Sequence, residues 1–360
     1  MDHSTMSADR ATDPGADSDR VGATLSRTVL WPSWLVVFAL AAFFSLGGSL
    51  SAPLRYFPLL ASVVLVGLPH GAVDHLAIPR TRDEAPTAGW FARIGLLYAV
   101  LGGAYAVLWF LAPVASAVGF ILLTWVHWGQ GDLWPLLAVA GVDHLGSRLQ
   151  RALTAAVRGG LPMLVPLLSF PNRYRAVVEG IVARFGLSAA PLDPVFRPET
   201  RLALLAGFAL LSVVTLAVGA LRADDRSGWA VDAGETALLW WFFWVVPPVF
   251  AIGAYFTVWH SLRHVARLVA VDPGGREALA RDRPLAALSR FARDAAPLTA
   301  LSLVGLAGLY LAVPNPPTDV PGVVALYLVF IAVLTLPHVV VVAVMDREQA
   351  VWTPGGRSPD

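Results

Sequence analysis

Nine apolar stretches run through this chain, at about 29–50, 57–79, 94–112, 114–133, 152–170, 202–221, 236–262, 298–313 and 323–345. A helix needs roughly 20 apolar residues to cross the hydrocarbon core of a bilayer. Inside lipid every backbone N–H and C=O must be satisfied within the structure, so only helices and closed barrels span. Hydrophobic residues make up 56% of the chain and charged ones 14%, against about 45–50% and about 25% in soluble domains. A soluble globule of this composition would lack the polar surface to cover itself. The chain therefore reads as an all-α polytopic integral membrane bundle of about eight helices.

Composition also excludes chemistry. The chain has no cysteine, which removes disulfides, thiolate metal sites and thiol nucleophiles. All 26 basic residues are arginine, so no lysine is available for a Schiff base and the chain is not itself a rhodopsin. A net charge of +1 gives no basis for nucleic-acid binding.

Residues 1–28 are polar and read as a disordered tail, 29–346 as a single membrane domain, and 347–360 as a short polar tail. Arginines are dense in 171–201 and 263–293. The positive-inside rule assigns both connections, and both termini, to the cytoplasm of a cell-membrane protein. Nine simple crossings contradict that assignment. The contradiction disappears if 152–170, which holds Arg158, Gly159, Gly160, Pro162 and Pro166, is re-entrant or broken.

Six of the eight histidines lie in the apolar stretches: His70, His75, His127, His260, His264 and His338. Ionisable groups at membrane depth are costly and tend to mark functional sites, and imidazole is the commonest protein ligand for transition metals. His260 and His264 stand four apart, on one face of a helix, where they can chelate one ion. Pro69, Gly67 and Gly71 imply a broken helix that aims His70 into the bundle. Asp74, four residues on, shares the face of His70 and suits the task of holding an imidazole in one tautomer. His75 is turned away from the face of His70 and, like Asp74, is a candidate support for a ligand; Asp74 and His75 also fit a hydrogen-bonded pair near the interface. His127 lies well inside its stretch, where a packed core histidine is the competing reading. His338, in Leu336-Pro337-His338, reads as a structural residue or a support for a ligand, as does Asp132. A set of neutral imidazoles suits iron, zinc, copper or nickel, and donor chemistry alone does not choose among them.

The ordered strings Gly67-Leu68-Pro69-His70-Gly71-Ala72-Val73-Asp74-His75, His127-Trp128-Gly129 with Asp132, Trp259-His260-Ser261-Leu262-Arg263-His264 and Pro337-His338-Val339 resemble the Brp/Blh family of membrane β-carotene 15,15′-dioxygenases. The stretch from Arg158-Gly159-Gly160 to Pro166 is similar too, and the likeness covers about 55–345. The resemblance implies central oxidative cleavage of β-carotene by O₂ to two retinals at a non-haem Fe(II) centre. It carries the iron ligands onto His70, His127, His260 and His264, and it implies a functional link to a retinal-binding opsin. An all-hydrocarbon substrate dissolved in the bilayer fits a site among helices, with Trp128 and Trp259 as the candidate tunnel wall. Two other classes stay open on the residues alone: a metal or proton transporter built on intramembrane histidines, and a bis-histidine haem protein.

Overall fold

A computed structural model describes residues 14–353; the outer parts of both expected tails, 1–13 and 354–360, lie outside the described residues. Every regular element among those residues is helical. Among the described residues, six helices are long and apolar enough to cross a membrane: Gly15–Ser45, Ala88–Leu111, Arg148–Ser169, Pro198–Arg222, Pro284–Ala312 and Val320–Glu348. The expected disorder of 1–28 does not extend to residue 28, since Pro14–Leu25 is a helix that continues through a wide π turn into Trp31–Ser45. Thr24 of this helix donates to the carbonyl of Leu279, and Arg27 pairs with Asp282.

Stretch 57–79 is broken, as its Pro and Gly content suggested. Ala52–Ser62 ends in an irregular turn, and the four-residue helix Pro69–Ala72 and then Asp74–Thr81 follow. Stretch 236–262 is not one span. Helix Arg226–Val245 stops at Val246, which is extended (φ −92°, ψ 132°) ahead of Pro247 and Pro248. Proline disfavours α geometry in the residue before it. The chain resumes as Pro248–Tyr255, a π turn at Phe256–Ser261, and Leu262–Val271.

Stretch 152–170 is the clearest departure from expectation: Arg148–Ser169 is one unbroken helix, capped by the Ser147 hydroxyl. Its glycines serve a close crossing. A Cβ at Gly159 would lie 1.8 Å from the Trp125 carbonyl oxygen, and one at Gly129 would lie 1.9 Å from that of Ala155. Small residues let membrane helices approach backbone to backbone, and here they press helix Arg148–Ser169 onto helix Pro113–Ala138.

With that helix intact, the two arginine-rich connections fall at opposite ends. At one end, Arg184 donates to the carbonyl of Asn315, joining the 171–197 segment to the turn after Ala312. At the other, Arg80 pairs with Asp272 and Arg82 with Glu348, while Arg151 donates to the carbonyl of Val351. The expectation that 171–201 and 263–293 share one side is therefore overturned. The two described chain ends do share an end, the one that carries the 272–283 connection.

Candidate metal centre

Five of the six intramembrane histidines meet in the middle of the bundle, each from a different local setting. His70 sits on the short helix Pro69–Ala72, and His127 midway along Pro113–Ala138. His260 occupies the π turn Phe256–Ser261, a geometry that recurs at functional sites, and His264 follows on Leu262–Val271. His338 comes directly after Pro337 in Val320–Glu348. All five are buried.

The rings form one contact network. The centroid of His70 lies 5.0 Å from that of His338, 5.5 Å from His264 and 5.7 Å from His260. His127 lies 4.8 Å from His260 and 4.9 Å from His338, and His264 lies 5.1 Å from His338. The Nε2 atoms of His127 and His260 are 3.2 Å apart, a separation that suits cis ligands of one ion with metal–nitrogen bonds of about 2.0–2.1 Å. His70, His127 and His338 each offer a nitrogen within 4.8 Å of the others, and Asp74, His264 and His338 form a second such set.

His338 therefore occupies the middle of the cluster, where the sequence pointed only to a support role. Its Nδ1–H donates to Asp74 Oδ2 at 2.8 Å, and the Tyr98 hydroxyl donates to the same oxygen at 2.6 Å. A carboxylate that holds Nδ1–H fixes the tautomer with a free lone pair on Nε2. That Nε2 is buried without a partner, as is Nε2 of His264. Orphaned ring nitrogens converging in an apolar bundle are the pattern expected of donors awaiting a cation.

Asp74 was expected to serve His70. The helix breaks between them at Val73 (φ −101°, ψ 9°), so the ideal four-residue relation is lost and Asp74 turns to His338. His70 instead has Nδ1 3.2 Å from the Val66 carbonyl and 3.4 Å from the Ser261 hydroxyl. His260 and His264 have different nearest rings: the first lies against His127 and the second against His338, with His70 beside both. His75 lies outside the cluster, its ring edge-on to Phe91 at 5.5 Å.

Asp132 touches a different set of groups. Its carboxylate accepts from Trp259 Nε1 at 3.0 Å, with Arg158 at 3.5 Å and Arg263 at 3.6 Å. Arg158 also pairs with Asp232 and Glu235, and His144 with Asp232. This buried ion network joins the helix of His127 to the π turn of His260. Trp259 is fully buried within it, under the Arg263 guanidinium at 3.7 Å, and so does not line the cavity. Trp128 does, with its ring centroid 5.4 Å from His260 and 5.9 Å from Phe256.

That cavity has a volume of about 560 Å³ and contacts His70, His127, His260 and His338. Its size lies within the about 300–1,000 Å³ range of ligand sites. The remaining wall is mostly aliphatic and aromatic. Sequence reasoning missed Tyr98 and the Arg158–Asp232–Glu235 network. Tyr98 carries no local signal, whereas a buried arginine in an apolar stretch was visible and was attributed to a helix break.

The profile of the beta-carotene 15,15′-dioxygenase family matches residues 61–346. The chain is 53% identical over 332 residues to a probable beta-carotene 15,15′-dioxygenase, Blh, of Halobacterium salinarum, covering 92% of this chain and 96% of that protein. It is 33% identical over 360 residues to a probable beta-carotene 15,15′-dioxygenase, Brp, of the same organism, covering 91% and 99%. A beta-carotene 15,15′-dioxygenase of an uncultured marine bacterium is 34% identical over 92 residues, 23% of this chain and 34% of that protein. No solved structure matches the chain significantly.

Proposed function

The chain belongs to the beta-carotene 15,15′-dioxygenase family, and from that premise we propose that it cleaves the central double bond of β-carotene at a ferrous centre held by its buried histidines. One molecule of O₂ is consumed, the carbon–carbon double bond breaks, and each half leaves as an aldehyde, giving two retinals. The observation that carries the reading is the cluster of five buried imidazoles, four of which (His70, His127, His260 and His338) form part of the wall of an apolar cavity.

Buried, neutral imidazoles are a donor set that would suit ferrous iron. His70, His127, His260 and His264 are the proposed ligands, with His338 added by its place between them. When bound, ferrous iron supplies the redox chemistry with O₂ that imidazoles alone cannot perform. The protein's own work is positional. Asp74 and Tyr98 hold His338 in one tautomer, the π turn presents His260 to His127, and the ion network around Arg158 ties the two helices together. Trp128 and Phe256 give the polyene a flat apolar wall beside His260. Bringing both reactants to a fixed geometry in a dry site is worth several orders of magnitude in rate.

The same features argue against the other two classes. A bis-histidine haem needs a slab of space between its axial rings, and here neighbouring rings lie about 5 Å apart. A transporter needs a polar path, whereas this cavity is apolar. We place the protein in the cell membrane with both termini cytoplasmic, on the side of the 272–283 connection, and its product as retinal for an opsin.

Expression in a bacterial host that accumulates β-carotene tests the reading. The expected result is loss of orange pigment with retinal in the extract, and retained pigment for His260→Ala. Unchanged colour under aerated, iron-replete conditions with the native chain rejects it.

A further inference from the structure

The exposed part of the lining of the cavity beside the histidines lies on two helices. Of the residues lining it, four are exposed: Phe91, Gly95, Leu301 and Gly305. Two belong to helix Ala88–Leu97 and two to helix Pro284–Ala312; the rest of the lining is buried or half-buried. Both helices belong to segments long and apolar enough to cross a membrane. Beside those four residues in sequence, Leu96, Leu303 and Val304 are also exposed apolar side chains. The mouth therefore faces hydrocarbon.

Two of the four exposed lining residues are glycines, Gly95 and Gly305. A Cβ at Gly95 would meet no atom within 4 Å, so no packing demand in the fold accounts for glycine there. Just inside, Phe91 rests edge-on against His75. The cavity then continues past the histidines to Met163, Pro166, Tyr174 and Ile181, none of which is exposed.

We propose that this opening is a lateral portal through which a long apolar polyene is drawn from the bilayer, with Gly95 keeping the gap clear. The substrate threads one end first, passes the histidines and stops when its leading ring reaches the closed inner end. That stop sets which bond lies at the metal. The proposal rests on the carotenoid-cleavage reading, and its test separates the two.

The absence of cysteine allows the portal to be closed after folding. Gly95→Cys is prepared in the full-length iron-loaded enzyme and then modified with benzyl methanethiosulfonate, with β-carotene supplied in phosphatidylcholine vesicles. Val100→Cys, exposed but off the cavity wall, is modified in parallel, and mass spectrometry confirms the modification of both. The expected result is a fall in kcat/KM of about tenfold or more for modified Gly95→Cys. Iron content should be unchanged, and a reducing agent should restore activity. Equal rates for the two modified proteins would overturn the portal. Failure of the unmodified native enzyme to form retinal would instead overturn the underlying reading.

Discussion

The histidines differ in what they touch, and that decides what each substitution should do. His338 and His75 are both intramembrane histidines that sequence placed outside the ligand set. His338 contacts three other imidazoles and Asp74, whereas His75 contacts Phe91 on the cavity wall. His338→Ala should therefore lose iron, while His75→Ala should retain it, as read by metal analysis of the purified proteins. Asp74→Asn leaves the ring in place but weakens its anchor. Loss of a carboxylate that orients a metal-binding histidine typically costs 10–100-fold in metal affinity, and the same decline is expected in an anaerobic ferrous titration. Equal iron affinity in native protein and Asp74→Asn would assign the carboxylate a purely structural role.

At the scale of elements, the site depends on two helices held unusually close. An added methyl at Gly159 runs into the Trp125 carbonyl, backbone against backbone, and neither partner can rotate away. Gly159→Ala should cost about 1–3 kcal/mol of stability, the usual range for overpacking, and should displace His127 enough to lower iron content. Gly103→Ala, with open space around it, should change neither; thermal unfolding in detergent compares the two. The same pair of helices shows what was legible in the sequence. The broken segment at Pro69 was readable because proline and glycine act locally. The role of Gly159 and Gly160 was not, because a glycine that breaks a helix and one that admits a neighbouring backbone look alike until the neighbour is known. The turn to Asp74 failed for a similar reason: one non-helical residue, Val73, re-aimed the carboxylate from His70 to His338.

For the whole molecule, composition and the lengths of the apolar stretches carried the fold class, and the spaced histidines carried most of the site. What they could not carry was which end of the bundle each basic connection reaches. Arginine density put 171–201 and 263–293 together, and an intact Arg148–Ser169 helix separates them. Leu187 and Arg281 are both exposed, and the chain offers no competing thiol. In sealed vesicles a membrane-impermeant maleimide should therefore reach Leu187→Cys and Arg281→Cys from opposite faces. Labelling of both from one face would restore the re-entrant topology. The account as a whole stands on the environment of the metal, and X-ray absorption at the iron edge of the active, ferrous, full-length protein reads that environment directly. The spectrum should show light-atom ligands with the multiple scattering of at least three imidazoles. An active enzyme whose iron shows no imidazole signature, or which holds no iron, would contradict the histidine cluster as the seat of the chemistry.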